Sequence, residues 1–385
     1  MAQKEKRIGL LTRGSSDFIL IVVTMLLVAM GLIMVLSASS PSALSESGDS
    51  YKYLRKQAIA AAAGFVGMIV LSRFDYNNYK KLKWVFYAVS IALLVAVKFI
   101  GMSSGGAKRW INIAGFNFQP SEVAKLAFII FFAALLSEFQ NNGKIKTLGY
   151  GCWVPLALLL PVIFCIYILQ NHFSATMIIC VVTVVQMFVA GTTIKNFLIT
   201  AGIASPFICG FLAYKMGGTT TSGEDKNFRA TRIQTWLNPF ADPTGDGWQI
   251  IQSLYAIGSG GLFGVGLGEG KQKYLYLPEP QNDFIFAVLA EELGFFGCMV
   301  VIILFTIFIW RGIVIALRAR DNFGTLIAIG IVTLIGLQAI INIAVVTGTI
   351  PVTGMPLPFF SYGGTAILTN LCAVGVLLNI SRSAK

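Results

Sequence analysis

Ten apolar stretches, separated by shorter polar segments, constrain this chain more than any other feature of its sequence. A helix rises 1.5 Å per residue, so about 20 residues cross the hydrocarbon core of a bilayer. Backbone groups in lipid must bond one another, which favours helices. The sequence therefore predicts an all-α polytopic membrane protein with about ten transmembrane helices, at residues 18–36, 57–71, 84–100, 123–136, 154–169, 173–189, 197–214, 284–310, 326–346 and 359–380.

Composition excludes several other classes of protein. With 56% hydrophobic residues, 12% charged residues and a mean hydropathy of +0.76, the chain lacks the charge that a soluble surface of this size needs. Its six cysteines lie in or beside apolar stretches without zinc or redox spacing, so neither a disulfide framework nor a thiolate metal site is predicted. The net charge of +12 comes from basic residues scattered through loops, which indicates membrane topology rather than nucleic-acid binding.

The distribution of lysine and arginine predicts the orientation of the chain. Residues 1–16 are basic and precede an apolar stretch, as in a signal peptide, but that stretch is longer than a signal core and nine more follow. An uncleaved first helix is therefore predicted. With the N-terminus in the cytoplasm, sixteen basic residues fall on the inner side and five in the short outer loops. Both termini are thus predicted to be cytoplasmic, with one long extracytoplasmic loop, residues 215–282, between helices 7 and 8.

Asp283 stands where this long loop turns into the eighth apolar stretch. An ionisable group near the membrane is costly, so a functional role is the first interpretation and a structural ion pair the second. Glu291 follows eight residues later, on about the same helical face and two turns deeper. We interpret Glu291 as a buried hydrogen-bonding group that supports the site, and expect Glu292 to point elsewhere.

A second group of charged residues lies between the third and fourth stretches. Glu122 is predicted in the first turn of a helix, and Lys125 follows three residues later on the same side. The two side chains could simply neutralise each other. Alternatively, Lys125 faces a cavity, where it pairs with another carboxylate or binds a phosphate. Arg109, next to Trp110, is either an interfacial anchor or a ligand for an anionic headgroup.

His172 is the only histidine of the chain and lies in a short outer turn. Without a second histidine, a metal there would need carboxylates alone as co-ligands. A solvated or hydrogen-bonded interfacial histidine is therefore favoured.

Three segments of the outer loops have an unusual composition. Residues 229–240 favour a short amphipathic helix at the membrane interface. The glycine-rich segment, residues 258–270, fits neither a dinucleotide-binding nor a Walker motif, and it predicts close backbone packing over the membrane surface, with amides available to an anion. The proline-rich turn, residues 347–364, cannot face lipid with an irregular backbone, so it must line a site or pack under the long loop.

Four motifs, in order along the chain, resemble the SEDS family of FtsW, RodA and SpoVE. They are residues 108–111 with 119–125, residues 258–266, residues 277–294 and residues 351–364. Residues 266–278 are more similar to the FtsW and SpoVE branch than to RodA. Gln281 and Asn282 stand where the family often has His-Thr, so no role of that histidine carries over, whereas the aspartate does.

The resemblance implies a single integral membrane SEDS domain, residues 1–385, that acts as a peptidoglycan glycosyltransferase. Such an enzyme polymerises lipid II into glycan strands at the outer face of the cytoplasmic membrane during cell division or sporulation. No transpeptidase domain is visible in the sequence. The resemblance therefore implies a separate class B penicillin-binding protein as partner, along with other division or sporulation proteins.

The chemistry of glycan polymerisation assigns roles to the candidate residues. The acceptor hydroxyl must lose a proton as it attacks, and Asp283 is the candidate general base. The departing pyrophosphate gathers negative charge, and Lys125, Arg109 and Arg232 are the candidates to bind it. A divalent cation, Mg²⁺ or Mn²⁺, is a further candidate for the same task. No nucleotide is expected as a cofactor. Glu122 would position Lys125.

Two other functions are compatible with the apolar stretches. A transporter that flips lipid II would also need charged residues facing a cavity. However, the unusual residues collect on the outer side alone, whereas a transport path should mark both sides. A scaffold for division proteins would explain the helices but not Asp283 and Lys125.

Overall fold

The computed structural model describes residues 16–104, 107–113, 116–203, 205, 228–245, 247–274 and 276–383. Helices dominate these residues, as the apolar stretches predict. They are α1 Phe18–Ser47, α2 Lys52–Arg73, α3 Asn77–Lys81, α4 Lys83–Ile100, α5 Pro120–Asn141, α6 Gly149–Leu169, α7 Phe173–Val189, α8 Ile194–Ile203, α9 Phe228–Leu237, α10 Trp248–Gly260, α11 Ile285–Leu317, α12 Asn322–Val346 and α13 Gly364–Ser383.

Seven helices of the described chain are long and apolar enough to cross a membrane: α1, α2, α4, α6, α11, α12 and α13. The predicted stretch 123–136 lies inside α5, and the stretch 173–189 coincides with the shorter helix α7. The stretch 197–214 is described only as far as residue 205. The prediction of a helical polytopic membrane protein is confirmed, whereas the number of ten crossings stays a prediction.

The centre of the bundle is formed by α5, α12 and α13. The apolar segments of α12 and α13 are 67% and 72% buried inside the protein, whereas that of α4 is only 17% buried. On α5, the rings of Phe128, Phe131 and Phe132 are fully buried. A helix that is apolar on all sides can bury one side against other helices and offer the other to lipid. The difference in burial therefore separates central helices from those at the lipid-facing rim.

Helix α11 is broken at Gly294, which corrects the prediction of one continuous span over residues 284–310. Gly294 has φ 65° and ψ −166°, outside the helical region. The amides of Phe295 and Phe296 donate to the carbonyls of Gly261 and Leu262 at 2.9 and 3.2 Å. In the other direction, the carbonyls of residues 291–292 accept from the amides of residues 265–266. The glycine-rich segment thus supplies the bonds that the break removes.

A small antiparallel sheet connects α4 to α5, in a region where the sequence indicated only a loop. Its strands are β1 Met102–Ser104, β2 Ala107–Ile113 and β3 Phe116–Phe118, with β2 in the middle. Arg109 lies on β2. The sheet therefore fixes the backbone of one of the predicted anion ligands.

The described part of the long loop contains two helices, α9 and α10; its residues 215–227 lie outside the described chain. The helix predicted at residues 229–240 is confirmed as α9. Two side chains of α9, one turn apart, attach it to the proline-rich turn. Arg232 Nη1 donates to the carbonyl of Val352 at 3.1 Å, and Trp236 Nε1 donates to that of Gly348 at 2.7 Å.

The glycine-rich segment packs closely on α11 rather than on the membrane surface. A Cβ atom on Gly260 would lie 2.0 Å from the carbonyl oxygen of Ala290, and one on Gly264 would lie 2.1 Å from that of Glu292. Gly264 also has φ +80°. Only glycine fits both positions, so the prediction of close backbone packing is confirmed, with a different partner surface.

Candidate active site

The backbone around Asp283 is fixed by three consecutive hydrogen bonds. The carbonyls of residues 281–283 accept, in order, from the amide of Tyr362 at 2.8 Å, from Ser361 Oγ at 2.7 Å and from Asn342 Nδ2 at 2.7 Å. Asn342 Nδ2 also donates to a carbonyl of the proline-rich turn, at 2.6 Å. Asp283 is therefore held by α12 and by the proline-rich turn, which gives its carboxylate a defined position.

The surroundings of the Asp283 carboxylate favour its neutral form. A Cβ atom on Gly354 would lie 3.4 Å from Asp283 Oδ2, so the proline-rich turn runs directly past the carboxylate. Burial and the nearby charge of Glu279 raise the pKa of Asp283 to about 6, although Arg109 and Arg232 act to lower it. A carboxylate with a pKa close to the working pH suits a general base, because it is largely ionised and yet basic enough to take a proton.

Arg109 and Arg232 both lie far before Asp283 in the sequence, but the fold brings the three charged groups close enough to interact. Arg109 Nε and Nη2 donate to the carbonyls of Gln170 and Asn171 at 3.3 and 2.7 Å. Burial and the charge of Arg232 lower the pKa of Arg109, whereas Asp283 raises it. Two guanidinium groups held beside a carboxylate form a site for an anion.

Lys125 forms a buried pair with Glu122. Lys125 Nζ lies 2.7 Å from Glu122 Oε1, and the two side chains are 2% and 5% exposed. The structure has the local pair of the first alternative, and Lys125 also lines a small internal cavity beside α7. The charge of Lys125 also reaches His172. A contact of Lys125 with pyrophosphate stays a prediction.

His172 differs from its sequence-based description. Its side chain is 7% exposed, and its Nδ1 atom has no hydrogen-bond partner among the described residues. Within the described residues the expected hydrogen bond is absent at Nδ1, whereas solvation of the imidazole at Nε2 stays a prediction. Burial, followed by the charges of Arg109 and Lys125, lowers the pKa of His172 to about 3, so the imidazole is neutral.

The two glutamates after the site have separate structural roles. Glu291 accepts hydrogen bonds from the backbone amides of Lys271 and Gln272, the former at 2.7 Å, which confirms its interpretation as a buried hydrogen-bonding group. The backbone amides that follow the glycine-rich segment thus bind an anion within the protein, the Glu291 carboxylate. Glu292, which the sequence analysis set aside, is paired with Lys273 at 2.7 Å and is completely buried.

Ser37 of α1 joins this buried ion pair. Its hydroxyl lies 2.7 Å from both carboxylate oxygens of Glu292, and Lys273 Nζ lies 3.0 Å from Ser37 Oγ. Lys273 Nζ also donates to the carbonyl of Gly268 at 2.6 Å. The cluster ties the long loop to α1 and to the first half of α11. Residues so far apart in sequence show no spacing that predicts such a contact.

The side chains near Asp283 could bind a divalent cation only if a substrate supplied further oxygen ligands. Within the described chain, no three His, Cys, Asp or Glu residues are grouped as a metal site. Asp283 and Glu279 are the two carboxylates whose charges interact at the site. Mg²⁺ commonly binds one or two carboxylates together with substrate phosphates, so these residues fit a cation that arrives with a phosphorylated substrate.

The fold and this site define a polytopic membrane protein in which Asp283, Glu279 and two arginines interact next to the proline-rich turn. Comparison with known proteins gives the family. The family model for the FtsW, RodA and SpoVE cell cycle proteins matches residues 17–385. The chain belongs to this family, which confirms the resemblance seen in the sequence.

Two relatives show the degree of similarity. The chain is 42% identical to stage V sporulation protein E of Bacillus subtilis (strain 168) over 375 residues, which cover 97% of this chain and 99% of that protein. It is also 42% identical to a probable peptidoglycan glycosyltransferase FtsW of Geobacter sp. (strain M18) over 367 residues, which cover 95% of this chain and 96% of that one. These names agree with the branch that residues 266–278 indicate.

Solved structures share the fold. A chain of a peptidoglycan synthase complex, described as coordinating polymerization and crosslinking, matches with a TM-score of 0.77 and 26% identity, covering 95% of this chain and 98% of its own. The rod shape determining protein RodA of Thermus thermophilus matches with a TM-score of 0.68 and 25% identity, covering 96% of this chain and 97% of its own.

Proposed function

We propose that this protein is a peptidoglycan glycosyltransferase that polymerises lipid II, with Asp283 as its general base. The single observation that carries the proposal is the arrangement at Asp283. This carboxylate has a raised pKa and interacts electrostatically with Arg109 and Arg232. Membership of the FtsW, RodA and SpoVE family and the names of the relatives support the same activity.

The reaction is a displacement at the anomeric carbon of the donor sugar. The acceptor hydroxyl oxygen forms the new glycosidic bond while its proton passes to the Asp283 carboxylate. The bond from the anomeric carbon to the lipid diphosphate breaks, and its electron pair leaves with the diphosphate. Arg109 and Arg232 face the charge that develops on this leaving group and stabilise it. A single displacement inverts the anomeric carbon, as in inverting glycosidases with one base.

Lys125 adds positive charge to that of the two arginines and so helps to stabilise the anionic leaving group. Its ammonium group is paired with Glu122, so only part of its charge remains available to an anion. A divalent cation bound to the diphosphate would neutralise further charge, with Glu279 as a protein ligand and the Asp283 carboxylate left free to take the proton. No nucleotide takes part in this proposal, because the energy is stored in the lipid-linked diphosphate.

The orientation and the partner belong to the same proposal. The excess of basic residues in one set of loops supports cytoplasmic termini, which puts Asp283 at the outer face of the membrane. Cross-linking of the glycan would then fall to a class B penicillin-binding protein. The similarity to a chain from a complex that coordinates polymerization and crosslinking supports such a partner.

Glycan formation from purified lipid II tests the function. The protein is reconstituted with a class B penicillin-binding protein whose transpeptidase site is blocked, and the products are separated by length on a gel. The proposal predicts long strands with both proteins and none with the partner alone. Absence of polymer, together with movement of lipid II across a vesicle membrane by the same preparation, would instead support the transporter alternative, which the names of the relatives do not favour.

A further inference from the structure

The backbone of His172 is fixed at the start of α7, although its side-chain Nδ1 bonds none of the described residues. Its amide donates to the carbonyl of Ile166 at 3.0 Å, and its carbonyl accepts from the amide and the hydroxyl of Thr176 at 3.2 and 3.0 Å. The imidazole is more than nine-tenths buried, and Nδ1 lacks a hydrogen-bond partner in the described chain. A buried polar atom without a partner costs stability, so its retention needs an explanation.

A second unpartnered atom lies on the proline-rich turn, which accepts a bond from Ser174 close to His172 in sequence. Thr353 Oγ1 is buried and, within the described residues, bonds no other group. Ser174, two residues after His172, donates from Oγ to the carbonyl of Thr353 at 2.6 Å. The first turn of α7, which follows His172, is therefore joined to the proline-rich turn at Thr353.

Both groups border the anion site described above. Arg109 donates to the carbonyls of the two residues that precede His172. Arg232 donates to the carbonyl of Val352, the residue before Thr353, and Gly354, the residue after it, lies against the Asp283 carboxylate. The two unpartnered groups thus lie on the two segments whose carbonyls bond Arg109 and Arg232, the arginines whose charges act on Asp283.

We propose that His172 and Thr353 are substrate-binding residues that donate hydrogen bonds to the diphosphate of the lipid-linked donor. This inference rests on the proposed function, because it assigns ligands for the leaving group of that reaction. A neutral imidazole carries one N–H donor, and a rotation of the ring by 180° exchanges Nδ1 with a carbon position, so the donor can turn toward the ligand. A hydroxyl group likewise rotates to suit its acceptor.

Neutrality of His172 is useful for this role. The arginines and Lys125 already supply positive charge, and burial together with two of these cations keeps the imidazole unprotonated. The imidazole therefore adds a directed hydrogen bond without a further charge. An apolar side chain of similar size would pack in the same place and lose only that bond.

Binding of undecaprenyl diphosphate to the purified full-length protein in detergent tests the inference. His172→Leu is expected to weaken binding about tenfold or more, as for a lost hydrogen bond to a charged group, and His172→Gln, which restores a donor, to recover most of it. Thr353→Val, which keeps the shape of the side chain, should also weaken binding. In polymerisation assays the same variants should raise KM for lipid II more than they lower kcat.

Tyr79→Phe is the matched control, because it removes another buried hydroxyl without a partner among the described residues. Tyr79 lies in α3, at the opposite end of α4 from the strands that carry Arg109. Wild-type affinity in folded His172→Leu and Thr353→Val, with normal KM, would overturn the inference. Failure of the wild-type protein itself to polymerise lipid II would count instead against the proposed function.

Discussion

Removal of the Lys273 charge is expected to destabilise the protein strongly. In Lys273→Met the long side chain keeps its apolar part, but Glu292 loses its cationic partner. Glu292 is completely buried and, among the described residues, would keep the hydroxyl of Ser37 as its one side-chain partner. An uncompensated buried charge left by removal of one partner costs about 3–5 kcal/mol of unfolding free energy.

Two further variants make this prediction specific. In the double variant Lys273→Met, Glu292→Gln both charges are absent, and the amide can still bond Ser37, so it should be far more stable than the sum of the two single changes implies. Lys52→Met is the control for an ordinary surface pair. Lys52 lies 3.1 Å from Glu46, but the two side chains are 34% and 51% exposed, so this change should cost about 0–1 kcal/mol.

The assay is unfolding of the purified variants in mixed micelles, with the fraction of sodium dodecyl sulfate as the variable. The reasoning predicts a large loss for Lys273→Met, a small one for Lys52→Met and partial recovery in the double variant. A loss for Lys273→Met no greater than that for Lys52→Met would refute the argument that this buried pair ties the long loop to α1 and α11.

Two further predictions concern the site and the broken helix. The charge of Glu279 raises the pKa of Asp283, so Glu279→Gln should lower that pKa. A general base acts in its ionised form, so the rise of kcat/KM with pH, centred near pH 6 in the wild type, should move to lower pH in this variant. An unchanged profile, or one shifted to higher pH, would contradict this electrostatic explanation. Gly294→Ala would put a Cβ atom 2.2 Å from the amide nitrogen of Gly264, at a residue with positive φ, so it should lower the free energy of unfolding by at least about 1–3 kcal/mol. Gly258→Ala is the control and should be close to neutral, because its Cβ atom would meet nothing within 4 Å. Equal stability of the two variants would show that the break at Gly294 is not needed.

The sequence predicts what depends on local hydropathy and on the cost of burying charge. The helices follow from the apolar stretches, because any backbone in lipid must bond itself. The pair of Glu122 and Lys125 follows from their spacing on one helix. Asp283 stands out because a carboxylate at that position is expensive. Its position beside Arg109 and Arg232, however, depends on a sheet that no local pattern indicates and on the docking of α9 to the proline-rich turn, which the pattern of α9 does not reveal.

The remaining features arise from tertiary contacts between distant segments. The break at Gly294 is stable only because the carbonyls of Gly261 and Leu262 bond the freed amides. Hydropathy alone makes the same stretch look like one continuous helix. The contact of Glu292 with Ser37 joins residues that are 255 positions apart, and the burial of His172 depends on packing around its turn. Neither has a periodic signal in the sequence.

The rate of lipid II polymerisation by Asp283→Asn, measured with the partner protein present, tests the central claim most directly. The amide keeps the size of the side chain and the backbone bonds to Asn342, Ser361 and Tyr362, but it cannot take a proton. The account predicts a folded variant that binds lipid II and forms no glycan strands. Strands formed at the wild-type rate by Asp283→Asn would contradict the assignment of Asp283 as the general base.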